Sequence, residues 1–250
     1  MEKGLISVIT PTYNCAKFIE YTIESVRAQS YKQWEMIIVD DCSTDNTKKI
    51  VDKFIKEDNR IKYFCLENNS GAAIARTKAM ELAKGEYMAF LDSDDIWPED
   101  KLKKQLIFMK QNGFSFTCTA YEQIDEDGNS LNKIIQTVSK ADYNRVLLDC
   151  PVGNSTVMYN VEKMGKFEVP NIRKRNDDAL WLQMLKQEKY IYGMNSVLMK
   201  YRIRQNSISS NKFKVIKYHW ILYRDIEHLS IARSIFHIMY WCVIKLLKIK

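Results

Sequence analysis

A chain of 250 residues with 46% hydrophobic and 28% charged side chains has a globular composition, and 8 Gly and 4 Pro exclude fibrous, low-complexity or loop-dominated architectures. Its six cysteines (Cys15, Cys42, Cys65, Cys118, Cys150 and Cys242) form no CxxC pair, which argues against a zinc ribbon or redox pair and for free thiols in a reducing compartment. The formal charge of +7 gathers in residues 212–250, where eight Lys/Arg face only Asp225 and Glu227, so any attraction to an anionic partner belongs to that segment.

The chain opens on "MEKGLISVIT", whose apolar run is too short for a signal peptide, so a cytoplasmic protein is expected. Residues 5–10 read as a buried strand. Residues 16–30 place Phe18, Ile19, Ile23 and Val26 on one helical stripe. A second strand over 35–40 leads into a Ser/Thr/Asp cluster that starts a helix over 44–58. A third strand over 61–66 precedes a helix over 71–85, with Gly85 as its stop. The fourth strand, 87–91, is followed by a helix over 98–113 that has Pro98 in its first turn and Gly113 at its end. This alternation predicts a parallel, doubly wound α/β sheet with right-handed crossovers. Beyond it the pattern is less regular. Residues 114–125 read as a strand meeting a turn at "EDGN", "TVMYN" and "SVLMKYRI" as short strands, and 177–188 as a helix with acids in its first turn.

Ligands of open parallel sheets bind outside the carboxyl ends of the strands. All four ends are polar: "TPTYN", "DDCSTDNT", "ENNSG" and "DSDD". Neither GxGxxG nor a P-loop is present, so phosphate charge must be met another way. Asp92 and Asp94 flank Ser93 and point the same way in an extended segment. Together they suit one hard cation, Mg²⁺ or Mn²⁺, completed by substrate phosphate oxygens. Asp95 is open between that site and a cap on the following helix.

In order and spacing, "SVITPTYN", "IIVDDCSTDNT", "NSGAAIAR", "GEYMAFLDSDDIWPEDKL" and "NDDALWLQML" resemble glycosyltransferase family 2. The similarity covers about residues 4–205. It implies a GT-A fold, a nucleoside diphosphate sugar donor (a UDP-sugar by preference), a divalent metal at a DxD motif and inversion at the anomeric carbon. Carried over residue by residue, Pro11 and Tyr13 match the base-contacting loop. Asp41 matches the acid that meets the pyrimidine edge, with Asp40 bracing that loop. Asp92 matches the ribose-contacting first position of DxD and Asp94 the metal ligand. Arg76 matches an arginine of that helix, open between the pyrophosphate and a structural ion pair. Asp178 matches the catalytic base, and Trp181 is open between an acceptor sugar and the core. "YRIRQNSIS" resembles the segment after the last core strand, where either Arg202 or Arg204 would grip the leaving diphosphate.

The resemblance implies division into a GT-A domain over 1–210, with a donor half over 1–112 and an acceptor half over 113–210, followed by a basic helical tail over 211–250. The tail reads as one helix from about 211. Its apolar run over 235–244 is shorter than the roughly 20 residues a bilayer needs. A basic amphipathic helix suits peripheral contact with the anionic inner membrane leaflet, or packing on its own domain or a second subunit in a homo-oligomer; nucleic acid is not expected. On a single helix His219, His228 and His237 recur every nine residues, cannot converge and make no metal site. The expected acceptor is a glycan or lipid-linked hydroxyl of a bacterial surface polysaccharide. The non-catalytic alternative is a nucleotide-sugar or membrane-surface binding module. A haloacid-dehalogenase-type phosphatase is disfavoured because its DxD follows the first strand.

Overall fold

The computed structural model describes the backbone of residues 1–204 and 212–246. Four parallel strands form one half of the sheet: β1 (Glu2–Thr12), β2 (Trp34–Asp40), β3 (Ile61–Cys65) and β4 (Gly85–Phe90), in the order β3-β2-β1-β4. The crossovers are α1 (Ile19–Arg27), α2 (Thr47–Glu57) and α3 (Ala72–Leu82). This is the expected doubly wound half.

The other half is mixed. After α4 (Lys101–Asn112), which ends on Gly113 at φ 70°, come β5 (Phe116–Ile124) and β6 (Ser130–Ile135) as a hairpin. Next are β7 (Lys140–Ala141), α5 (Tyr143–Leu148), a 3₁₀ turn at Asn154–Thr156, β8 (Met158–Asn160), α6 (Val161–Met164), α7 (Asn176–Leu185) and β9 (Ile191–Arg202). β8 runs antiparallel to both β4 and β5, and β5 pairs with β9 in parallel, so one sheet runs through both halves of the chain.

Strand alternation divides the core into two layers. Ile6, Val8, Met36, Ile38, Tyr87, Ala89 and Leu91 face α1, α2 and α4. Ile9, Ile37, Val39, Met88 and Phe90 face α3, α5 and α7. Trp181 lies fully within this second layer, edge-on to Phe90 with ring centroids 5.1 Å apart. That settles it as core rather than an acceptor platform.

Two boundaries differ from the sequence reading for physical reasons. Gly85 does not stop a helix. α3 ends at Leu82, and Gly85 starts β4 against β1, where a Cβ would lie 2.6 Å from the Leu5 carbonyl oxygen. Glycine marks a close strand approach there. The tail is not one helix either. α8 (Lys212–Ile221) passes through a π-helical turn at Leu222–Ile226, breaks at His228 (φ 51°) and restarts as α9 (Ile231–Leu246). The break brings together what a straight helix keeps apart. His219 and His237, both buried, flank the Tyr223 ring at centroid distances of 5.7 and 5.3 Å. Leu222, Tyr223 and Leu229 join the α5–α7 core layer. Residues 205–211 and 247–250, which include the end of "YRIRQNSIS", the expected 210/211 boundary, Lys248 and Lys250, lie outside the described residues.

Candidate active site

The loops after β1 and β2 are laced together by side chains bonding backbone. The Asn14 amide donates to Ser43 Oγ (2.8 Å), and Asn14 Oδ1 accepts from the Thr44 amide (2.8 Å). The Cys15 amide donates to Thr47 Oγ1 and the Ala16 amide to Asp45. Asn14 (φ 46°) and Cys42 (φ 64°) hold left-handed conformations, an intrinsic cost concentrated where the strands release the chain. Pro11 is buried in the last turn of β1, opposite Val39, and Tyr13 stands 49% exposed beyond it.

Asp40 braces this loop, accepting from the Ser43 amide and hydroxyl and from Tyr63 Oη (2.6 Å). Asp41, matched to the base-contacting acid, is also engaged. Its two oxygens accept from the amides of Ser70 (2.6 Å) and Gly71 (2.8 Å), tying the end of β2 to the start of α3. A carboxylate has further lone pairs, so this leaves acceptor capacity. Beside Gly71 a cleft of about 260 Å³ opens between the start of α3 and residues 171–173, including the exposed Arg173.

The acidic corner at the end of β4 separates its carboxylates by role. Asp92 is 35% exposed on its side chain, and its Oδ1 accepts from Arg76 (3.0 Å) and Asn154 (2.8 Å). Asp94 pairs with Arg204 at 2.9 Å. Burial pushes its carboxyl above the usual range, Arg204 opposes this, and neighbouring Asp92 adds to it. Asp95 is buried and raised further by burial and by the other two acids. It does not cap α4, whose cap position is Asp100; it accepts from Ser155 Oγ (2.6 Å) and the Arg202 amide (3.1 Å) instead. Asp95 thus locks the 3₁₀ turn and β9 onto the corner.

The two arginines of "YRIR", two residues apart, share one side of the chain, both over the Phe18 ring, but differ in burial and partners. Arg202 is buried. Its guanidinium donates to the carbonyls of Asp94, Asp125 and Glu126 and holds the β5–β6 hairpin. These bonds engage Nε and Nη1, whereas Arg204, 30% exposed, faces the acids.

The remaining acid comes from the start of α7. Asp178 is buried and paired with Arg175 at 2.7 Å. Burial raises its carboxyl to about 6; Arg175 and a bond from the Cys150 thiol hold it down, and Asp177 pushes it up. Arg175 sits at φ 63° immediately before the helix. Arg76, buried on α3, reaches Asn176 with one nitrogen and Asp92 with another, spanning the acidic corner and the first turn of α7. Of the two roles open to Arg76, the structure shows the ion pair.

Arg175, Asn176, Asn154 and Ser155 were not legible as site residues. The first two adjoin the "DD" pair, a signal that was available. The others arrive through a 3₁₀ turn with no sequence signature. A divalent cation fits the corner: Asp92 and Asp94 are adjacent, one of them held above its ordinary range by burial and a like charge. Among the described residues no three His, Cys, Asp or Glu gather as a cage, so donor oxygens would complete the coordination.

One mixed sheet gathers at its strand ends a polar loop, an acidic corner and a separate buried carboxylate, the place where open α/β sheets bind ligands. The sequence profile "Glycosyl transferase family 2" matches residues 7–171. TuaG of Bacillus subtilis (strain 168), provisionally named for a glycosyltransferase role in teichuronic acid biosynthesis, is 48% identical over 98% of this chain and 96% of its own. An Escherichia coli protein, the UDP-Glc:alpha-D-GlcNAc-diphosphoundecaprenol beta-1,3-glucosyltransferase WfgD, is 39% identical over 99% of this chain and 96% of its own. Among solved structures, S. aureus TarS with UDP-GlcNAc superposes with a TM-score of 0.71 at 22% identity, covering 92% of this chain and 69% of that one. The mannosyltransferase PcManGT of Pyrobaculum calidifontis, with GDP-Man and Mn²⁺, gives 0.67 at 17% identity, covering 90% and 64%. The chain belongs to glycosyltransferase family 2.

Proposed function

We propose that this glycosyltransferase moves a sugar, with inversion, from a nucleoside diphosphate donor to a hydroxyl of a lipid-linked glycan in surface polysaccharide synthesis. The observation that carries the reading is Arg76, whose guanidinium contacts Asp92 of the acidic corner and Asn176 beside Asp178. It puts donor acids and base on one floor. The residues before 113 serve the donor and those after it the acceptor. Pro11, Tyr13 and Asp41 frame the base, which we take to be uracil, with Asp92 at the ribose. The acceptor in the name of WfgD, alpha-D-GlcNAc-diphosphoundecaprenol, supports the lipid-linked class.

Asp178 accepts the proton of the acceptor hydroxyl as that oxygen attacks the anomeric carbon from the face opposite the diphosphate. The bond to the diphosphate oxygen breaks, and one displacement inverts the centre. A carboxyl held near 6 is a stronger base than an exposed aspartate and is largely ionised at neutral pH. Asp92 and Asp94 would hold Mg²⁺ or Mn²⁺, which supplies charge neutralisation of the diphosphate. Arg204 offers a permanent positive charge to the same leaving group, while Arg202 braces the hairpin through the Asp125 and Glu126 carbonyls.

Titrating UDP-sugars calorimetrically with and without Mn²⁺ tests the reading. In the native protein, affinity should fall at least tenfold on chelation. In Asp94→Asn it should be weak and indifferent to the metal. Donor affinity unchanged by both chelator and substitution would overturn the assignment of the corner.

A further inference from the structure

α9 carries apolar side chains on its outward face as well as on its inward one, where Ile238 packs against the core. Toward the protein it directs Ser234 and His237, both buried, with Trp241 half-buried against His219 at a ring distance of 4.6 Å. Toward solvent it directs Ile231, Ile235, Phe236, Met239, Tyr240 and Val243, exposed by 57, 45, 59, 62, 36 and 50%. These recur at i, i+4, i+5, i+8, i+9 and i+12, one continuous helical face, broken by charge only at its edge by Arg233. Other exposed large apolar side chains, such as Tyr21, Phe64, Ile107 and Leu131, are spread over separate elements, whereas six gather on α9. A contiguous apolar face of this size marks an interaction surface.

We infer that α9 docks the protein onto an anionic phospholipid surface, lying in the interface with its outward stripe among the acyl chains. Charge selects this occupant over a second copy of the chain. Residues 212–250 carry eight Lys/Arg against two acids. One of those acids, Glu227, is buried and neutralised by Lys186 at 2.9 Å. Pairing two such tails across a twofold axis brings like charges together, while an anionic leaflet attracts each of them. The helix partners agree: α8, packed against α9, exposes Trp220 and Lys217, an aromatic and a cation of the kind that settle at headgroup level. α9 has 16 residues, about 24 Å of helix, and no helix among the described residues is long and apolar enough to cross a membrane, so it lies on the surface.

The test is vesicle flotation of the full chain, which needs no donor or acceptor and so stands or falls apart from the transfer reaction. The protein should float with vesicles of phosphatidylglycerol and phosphatidylcholine, far less with phosphatidylcholine alone, and lose binding as salt rises. The double variant Phe236→Glu, Met239→Glu changes only exposed side chains; with an unchanged melting curve it should partition at least tenfold less. No flotation, or flotation indifferent to the variant, overturns the inference. So does a dimer seen by sedimentation velocity that the variant dissolves in a protein that ignores vesicles.

Discussion

At the scale of single residues, the proposed chemistry turns on how Asp178 is held. Burial lifts its carboxyl to about 6, and Arg175, 2.7 Å away, is the largest influence keeping it from rising further. A base works in its ionised form, so activity should climb as pH rises through about 6 and level off above it, the acid limb reporting Asp178. Removing the opposing cation moves that limb in a known direction. In Arg175→Ala the carboxyl rises, so the limb shifts to higher pH and activity at pH 6 falls more than activity at pH 8. Arg175→Lys should return most of the shift, which a purely structural role for the arginine would not do. Asp178→Asn should lower transfer by about 10²–10⁴-fold while changing donor affinity little. Rate profiles from pH 5 to 9 on the three variants decide it, and an acid limb that stays in place in Arg175→Ala would remove Arg175 as the positioning residue.

At the scale of elements, the sheet was legible wherever local pattern and tertiary environment agree. β1, β2 and β4 show continuous apolar runs because both faces are covered, and their polar ends stand out sharply against them. The acids at those ends were legible as a group, but their division of labour was not. Asp92, Asp94 and Asp95 look alike in sequence, and only the arrival of Arg76, Arg204 and Ser155 from distant segments separates the two arginine-paired acids from the buried brace. Lys101 shows the same limit. Nothing in the sequence pattern sets it apart, yet it is fully buried 3.9 Å from the Trp97 ring centroid, its amine pushed well down by burial. Gly85 was misread because a glycine after a helical stretch is usually a stop, and the Leu5 carbonyl that demands it lies 80 residues earlier in the chain. Its true role is testable. Gly85→Ala forces β1 and β4 apart at their start, and overpacking of this kind costs about 1–3 kcal/mol. Urea unfolding should show a lower midpoint with an unchanged slope; a midpoint equal to that of the native chain would mean the strands can shift without penalty.

At the scale of the whole molecule, the tail is where sequence and structure diverge most. The sequence leaves the basic segment open between membrane contact and packing on its own domain or a second subunit, and a break in a helix at a non-glycine residue such as His228 leaves no mark in the pattern. The fold packs the tail into the core layer of α5 and α7. Leu222, Tyr223 and Leu229 are buried in the layer that also holds α7. Tyr223 Oη donates to the Leu147 carbonyl (3.2 Å), and Glu227 accepts from Tyr143 (2.5 Å) and Lys186 (3.0 Å). Burial of three such side chains stabilises by about 5 kcal/mol or more, comparable with the net stability of a whole domain. The helix that carries Asp178 therefore depends on the tail. Deleting residues 211–250 should uncover the apolar backs of α5 and α7, lower the melting temperature steeply and increase binding of a hydrophobic dye. Loss of activity in such a truncation would then report a damaged fold, not a lost address. The contrast with Phe236→Glu, Met239→Glu, which alters only the outward stripe of α9, makes the argument decidable. That variant should melt with the native protein, and the truncation should not. A truncated chain that unfolds cooperatively at the native temperature would show the tail to be an appendage after all.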